Sequence, residues 1–390
     1  MNTILGLLAL LSLLLLLWQW VAGLQFPLHQ RAKQFPAAPG VTLLKSLKGC
    51  DPATGDCLRS WMIQDYAGPV QILFAVAAAD DPVCQAVRAL LAEFPAVDAQ
   101  LIVCGPLTGT NSKVAKLIQI ERLARHELLV ISDADVKVPP DFLQNVLVPL
   151  AQPEVGLVNC FYCLANPSTP AMQWEAVAIN ADFWSQVLQA ENLKPLDFAL
   201  GAVMSTRRQQ LKDIGGLAGL ADCLADDYQL GNRIARGGHR IVLSPVVVEC
   251  WSRTMDWAEV WKHQLRWART VRVCQPLPYF FSILSNPTVW PLVWLVVEPS
   301  SYSLAFFVLC LLARILTARH LQHRLLAYRS KIENQKSKIS LAPLWLAPLK
   351  DLLQTAIWLG AFLGNRIEWA GRKMTLRPDG TLQPITSNAD

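Results

Sequence analysis

Leu128–Phe142 reads LLVISDADVKVPPDF, and the fold turns on how this stretch is read. Leu128, Leu129, Val130 and Ile131 form an apolar run too short for a helix with one buried face. It suits a strand covered on both sides in a parallel sheet. The run ends in Ser132-Asp133-Ala134-Asp135, which puts two carboxylates one residue apart at the carboxyl end of a strand. Open α/β sheets bind their ligands at that edge. Pro140 is placed to open a helix continued by Asp141 and Phe142. A carboxylate pair on a rigid strand end suits a hard divalent cation and the phosphate oxygens it carries. The same two acids could equally cap the following turn, so the flanking chain has to decide.

Upstream, Val41–Leu44, Val70–Val76 and Ala99–Cys104 read as strands, with helices over Asp51–Gln64 and Val83–Glu93 between them. This alternation predicts a mostly parallel sheet. Lys45 and Lys48 lie in the turn after the first strand. They could meet a phosphate or base edge, or simply be solvated. Asp80-Asp81-Pro82 ends the second strand, so these acids face the same sheet edge as Asp133 and Asp135. Asn111 and Lys113 open a helix running to about Arg125, either as phosphate ligands or as an ordinary N-cap.

Downstream, Val155–Leu164 and Ile241–Val248 read as strands, and Met172–Glu191 as an amphipathic helix carrying Trp174, Phe183 and Trp184. Asp226 and Asp227 open a helix that stops at Gly237-Gly238. Acids there offset the helix dipole, and one of them could also serve as a general base. Met255–Arg272 is a helix with Trp257, Trp261, His263, Gln264, Arg266, Trp267 and Arg269. Arg266 offers a planar fork suited to a diphosphate, whereas by composition the whole helix could also lie on a membrane surface.

The chain of 390 residues is 53% hydrophobic and 17% charged, a balance leaning towards membrane proteins. Ile4–Leu24 carries no charge and is long enough to span a bilayer core. No Lys or Arg precedes it, which favours a retained anchor over a cleaved signal. Tyr279–Val297, Ser300–Thr317 and Leu341–Gly364 are further apolar runs. The first is broken by Pro287 and Pro291; the third contains Lys350 and Asp351, so its first half is expected in the interface. Arg319, Arg324, Arg329, Lys331, Lys336 and Lys338 make a basic segment that the positive-inside rule puts in the cytoplasm. The net charge of +5 points to anionic lipid headgroups and not to nucleic acid. Ten cysteines without a disulfide-like framework fit reduced thiols, and Cys160 and Cys163 lack the partners of a zinc site. The expected organisation is an anchor over 1–24, a linker over 25–40 and a cytoplasmic catalytic domain over 41–278. Membrane or interfacial helices follow over 279–364, with a basic loop at 319–340, and a tail over 365–390.

Taken in order, Asp81, the Asp133-Ala134-Asp135 triplet, Asp227 and His263-Gln264-Leu265-Arg266-Trp267 resemble the D, D-x-D, D, (Q/R)-x-x-R-W signature of membrane glycosyltransferases. More narrowly, LLKSLKG, ILFAVAAADDP, VDAQLIV, SDADVKVPPD, GGL, ADDYQLG and HQLRWART resemble the ceramide glucosyltransferase family and its bacterial relatives, hopanoid-pathway transferases included. The ordered set is far more specific than any one piece.

The resemblance implies an α/β GT-A fold, Rossmann-like with a mostly parallel sheet, flanked by N-terminal and C-terminal transmembrane helices. It implies an inverting hexosyltransferase using a UDP-sugar donor, UDP-glucose first, and the hydroxyl of a membrane lipid such as ceramide. Asp81, Asp133, Lys113, Asn111 and Lys48 would bind the donor, and Asp135 with Asp133 a divalent metal, Mg or Mn. Asp227 would be the base, and Arg266 and Trp267 would close over diphosphate and acceptor. His263 stands where the family has Gln or Arg, with Gln264 one place late; both are assigned to the acceptor side or an auxiliary role. The alternatives are another lipid acceptor with UDP-N-acetylglucosamine or UDP-galactose, a processive polysaccharide synthase, or a non-catalytic membrane scaffold. A multi-pass membrane protein is expected, in a bacterial inner membrane or in Golgi or ER.

Overall fold

The computed structural model describes residues 2–32, 38–327, 342–369 and 371–385. The strands of its main sheet are β1 (Val41–Ser46), β2 (Val70–Val76), β3 (Asp98–Val103), β4 (Leu128–Ser132), β5 (Val136–Lys137), β6 (Val155–Leu164), β7 (Val203–Arg207) and β8 (Arg240–Cys250). They lie in the order β3-β2-β1-β4-β7-β6-β8-β5. β1 is parallel to β2 and β4, β2 to β3, and β6 to β8. β7 runs antiparallel to both β4 and β6. This reversal is what the sequence did not announce. It brings Ala202 beside the end of β4, where its carbonyl accepts the Asp133 N–H at 3.2 Å.

Leu128–Ser132 is buried along its whole length. Leu129 and Ile131 enter one core, Leu128 and Val130 the other, as alternation across a doubly covered strand requires. The second core packs α2 (Thr54–Met62), α3 (Val83–Glu93) and α5 (Phe142–Leu147). The first packs α4 (Ser112–Glu121), α6 (Pro170–Val177), α7 (Trp184–Leu193), α9 (Asp226–Arg236) and the membrane-type helices; the short α8 (Arg208–Asp213) follows β7. The single helix expected over Met172–Glu191 is interrupted by a π-helical turn, Ala178–Phe183. Asn180 there pairs with both backbone groups of Leu164 on β6 (2.9 and 3.1 Å), while Asp182 is buried on the membrane-helix side.

Among the described residues two helices are long and apolar enough to cross a membrane: α1 (Asn2–Gln25) and, after α10 (Trp257–Cys274), α11 (Pro276–Phe281) and α12 (Val289–Val297), α13 (Ser301–Leu326). The run around Pro287 and Pro291 bends by 57° between the α11 segment and α12. There the Asn286 side chain caps the first N–H groups of the new helix. α1 packs on α13 and α7, where a Cβ on Gly23 would come within 2.6 Å of Leu321 and 3.0 Å of Trp184. Lys350 and Asp351, the reason to lay α14 (Leu346–Phe362) in the interface, are instead buried and paired within the protein. Arg319 and Arg324 belong to α13, whereas Arg329, Lys331, Lys336 and Lys338 fall outside the described residues.

The C-terminal tail contributes an antiparallel sheet of β9 (Arg366–Trp369), β10 (Arg372–Leu376) and β11 (Leu382–Pro384). Its Ile367, Met374, Leu376 and Leu382 pack with Leu224, so the sheet straps the loop that leads into α9.

Candidate active site at the carboxyl edge of the sheet

The turn after β4 carries the two carboxylates, and a lysine sits beneath it. Lys45, at the end of β1, is fully buried, donating to Ser132 Oγ (3.1 Å) and to the Asp133 carbonyl (2.7 Å). Its ammonium lies 4.4 Å from the Trp61 ring centre. Burial pulls its pKa down to about 7 although Asp133 opposes this. The sequence had a signal for Lys45: a charge closing an otherwise apolar buried strand must find partners inside.

Asp133 is tied to Lys113 of α4 at 2.8 Å, and the same ammonium reaches Asp226 at 3.0 Å. Burial alone would lower the Lys113 pKa, but Asp133 and Asp226 outweigh it and hold the lysine charged. Of the adjacent acids opening α9, Asp226 is therefore committed, being buried and ion-paired. Asp227 is half-buried and accepts from the Tyr228 N–H at 2.8 Å. Its pKa is pushed up to about 6, first by burial and next by Asp226. Gly201, just before β7, leaves room for it: a Cβ there would sit 2.6 Å from Asp227 Oδ2. Asp135 is likewise pushed up to about 6 by burial and by Asp133.

Arg266 on α10 comes under the field of Asp227 and Glu175, while burial lowers its pKa. Among the described residues its guanidinium makes no hydrogen bond or ion pair. Trp267 beside it packs on Phe183 and His263, with ring centres 6.4 and 4.7 Å apart. His263 Nδ1 lies 2.6 Å from Glu175 Oε1, and Gln264 Nε2 donates to the same oxygen at 2.8 Å. Glu175 was passed over in the sequence, although an acid between Trp174 and Ala176 on an apolar helix is a mark of buried pairing. Tyr162, after a β-bulge in β6, was also missed. Its hydroxyl lies within the fields of Asp227, Glu175 and Asp133.

The remaining positions lie along the same edge in other roles. Asp81 accepts from the Gly49 N–H (3.0 Å) and the Val83 N–H (3.0 Å), joining the β1 turn to the start of α3. Lys48 in that turn is exposed. Asn111 is fully buried and caps α4 through the Lys113 and Val114 N–H groups, while its amide donates to the Cys223 carbonyl at 2.8 Å. It braces the loop before α9.

No group of three or more His, Cys, Asp or Glu residues able to hold a metal occurs among the described residues. Asp133 and Asp135 nevertheless form a hard oxygen pair, and among the described residues the Asp135 carboxylate has no ion-pair partner. Mg²⁺ and its like are commonly held by one or two carboxylates, with phosphate and water oxygens completing the shell. The donor set fits a cation that arrives with a diphosphate.

The curled, mostly parallel sheet and its acidic carboxyl edge define a glycosyltransferase of GT-A type. The mannosyltransferase PcManGT from Pyrobaculum calidifontis, solved with GDP-Man and Mn2+, shares this fold with a TM-score of 0.51 and 21% identity. The likeness covers 91% of this chain and 98% of that one. The family model Glycosyl transferase family 21 matches residues 2–382, and the chain belongs to that family. It is 23% identical over 369 residues to ceramide glucosyltransferase 3 of Caenorhabditis elegans, covering 92% of this chain and 78% of the relative. Ceramide glucosyltransferase 1 of the same organism is 23% identical over 221 residues, covering 56% of this chain and 47% of the relative.

Proposed function

We propose that this glycosyltransferase moves glucose from UDP-glucose to the primary hydroxyl of a membrane lipid, ceramide above all, with inversion at the anomeric carbon. The observation that carries the reading is that Asp227, a carboxylate without an ion-pair partner among the described residues, lies within the electrostatic field of Arg266, a guanidinium likewise without one. Asp227, with its pKa near 6, is still ionised at neutral pH and is a stronger base than an ordinary carboxylate. It takes the proton of the lipid hydroxyl as that oxygen attacks the sugar carbon in line. The bond from that carbon to the diphosphate breaks, and Arg266 donates hydrogen bonds to the departing oxygens. Trp267 and Phe183 offer an apolar wall for the lipid beside this point. Asp81 and Lys48 hold the nucleoside end, and Lys113 steadies Asp133 against the diphosphate. A divalent cation, Mn or Mg, would be held by Asp135 and Asp133 and would supply charge neutralisation to the leaving group. The catalytic face lies in the cytosol, where the soluble donor is, with α1 and α13 in the bilayer; the named Caenorhabditis relatives support the lipid acceptor.

The test is D227N in membranes given UDP-glucose, Mn²⁺ and ceramide. Glucosylceramide formation drops by about a thousandfold or more, as loss of a general base and its charge requires, while UDP-glucose still binds. Turnover by D227N near the wild-type rate removes Asp227 from the base role.

A further inference from the structure

The helix that carries Arg266 and Trp267 is held by a residue that belongs to neither the donor nor the acceptor machinery. Glu175 sits on α6, a helix capped by Thr169 through the Met172 N–H at 3.1 Å. Its side chain is 1% exposed, so no solvent satisfies the carboxylate. Among the described residues both of its partners come from α10: His263 at 2.6 Å and Gln264 at 2.8 Å, on the same oxygen. A carboxylate oxygen taking two such contacts only accepts. His263 Nδ1 therefore carries the hydrogen, and Nε2 is left as the ring's other polar atom. The ring is fixed a second time by Trp267, 4.7 Å away centre to centre. His263, Gln264, Arg266 and Trp267 span five consecutive positions, so fixing the first two sets the rotation of the helix at the last two.

We infer that Glu175 is a positioning residue for the transfer reaction. Through His263 and Gln264 it sets the rotation of α10 that presents Arg266 to the leaving diphosphate and Trp267 to the lipid. The inference rests on the reaction proposed above. It also accounts for the histidine at the place where the resemblance leads one to expect Gln or Arg. Here the imidazole serves as a strut between a buried acid and an indole, and permanent charge is not what that place needs. A displacement of about 1 Å at the reacting groups can cost about a hundredfold in rate, which scales the expected effect.

The experiment compares the full chain with E175Q, H263Q and the double variant, in detergent with UDP-glucose, Mn²⁺ and ceramide. Transfer to ceramide and hydrolysis of UDP-glucose by water are followed in parallel. E175Q keeps the size of the side chain and removes the charge that orders both partners. Its kcat falls by about thirtyfold to a hundredfold, while the KM for UDP-glucose stays within about twofold. The double variant is no slower than the slower single variant, because both changes cut one strut. Wild-type kcat in E175Q, or losses that multiply in the double variant, overturns the inference. If E175Q does not yield folded protein, H263Q and Q264L carry the test from α10. Each must lower kcat with donor KM unchanged, and unchanged kcat in both overturns it. Wild-type protein that hydrolyses UDP-glucose without glucosylating ceramide counts against the acceptor assignment alone. Glu175 is then judged by the hydrolysis rates, with the same ordering required.

Discussion

Two clusters of charge, one buried and one half-buried, stand on either side of the π-helical turn, and they are built on opposite terms. On the membrane side, Arg314 binds Asp182 through two hydrogen bonds (2.9 and 2.8 Å) and Asp351 through two more (both 2.9 Å). Lys350 adds contacts to Asp182 (2.6 Å) and Asp351 (3.3 Å), and Thr288 donates to Asp351 at 2.7 Å. Two acids meet two bases, and each charge is answered. At the sheet edge, Asp133, Asp135, Asp226 and Asp227 share one ion-paired ammonium, Lys113, while Lys45 beneath them bonds Ser132 and the Asp133 carbonyl. Two of those carboxyls, Asp135 and Asp227, have pKa values pushed up to about 6. A closed cluster holds elements together; an open one with acid in excess is arranged for charge that arrives with a ligand. The closed cluster has a further task. Arg314 lies in the middle of an apolar helix, where an unpaired cation is costly. It joins α13 and α14 to the π turn, and so fixes the membrane-type helices to the segment that carries Phe183 towards Trp267.

The sharpest way to break this comparison is to take one cation from the closed cluster. R314M leaves Asp182 and Asp351 short of their main partner in a buried site. Removing one side of a buried pair costs about 3–5 kcal/mol, so the protein loses most of a marginal stability. Thermal unfolding in detergent measures it. Any fall in transfer per folded molecule runs through the Phe183–Trp267 contact and is far smaller than the fall in D135N. The matching change at the open cluster is D135N, and it must do the reverse. Transfer with UDP-glucose and Mn²⁺ falls on the order of a thousandfold as the charge facing the diphosphate is lost. The midpoint of unfolding holds or rises, because burial already disfavours that charge. If D135N and R314M lose stability alike, the difference between the clusters is not real.

Much of this was legible before any coordinates. The strand Val70–Val76, the helix Val83–Glu93 and the strand Val155–Leu164 lie where apolar runs and turn residues put them. Asp133, Lys113 and the Asp226-Asp227 pair converge although nearly a hundred residues separate the first from the last. Parallel strands force that convergence on the edge where they all end. What stayed hidden depends on partners far along the chain. That Lys45 must pair inside is signalled, but its partners Ser132 and Asp133 come into reach only when β4 is laid beside β1. Glu175 stands out as an acid among apolar neighbours, but which groups pair with it is hidden until α10 crosses it. Lys350 and Asp351 look like an interfacial break until Arg314, some forty residues earlier, is seen to face them. The antiparallel β7 has no local signature, since Val203–Arg207 could pair in either direction. The C-terminal sheet is short, polar on one side and held by Leu224, a contact over 140 residues that no periodicity encodes.

The smallest effect is the pH dependence, and it separates stability from activity at the open cluster. Asp227 has its pKa raised to about 6 in the folded chain, against about 3.9 for an unperturbed aspartate. A base works only when ionised, so in the role proposed for Asp227 the rate falls as pH drops through 6 and is about tenfold lower at pH 5 than at its plateau. Asp135 titrates in the same range and pulls the same way. Saturating Mn²⁺ competes with its proton, so the slope that persists at high metal belongs to Asp227. Stability runs opposite. A raised folded pKa means the folded protein takes up a proton more readily than the unfolded chain, so the charged form is a burden above pH 6 that protonation relieves. D227N carries no such burden. At pH 7 it should therefore unfold at a higher temperature than wild type, and the gap should narrow to about half by pH 5 and close near pH 4. A gap that stays constant from pH 7 to pH 5 would mean that Asp227 is not held in the buried, like-charged setting on which its role as base depends.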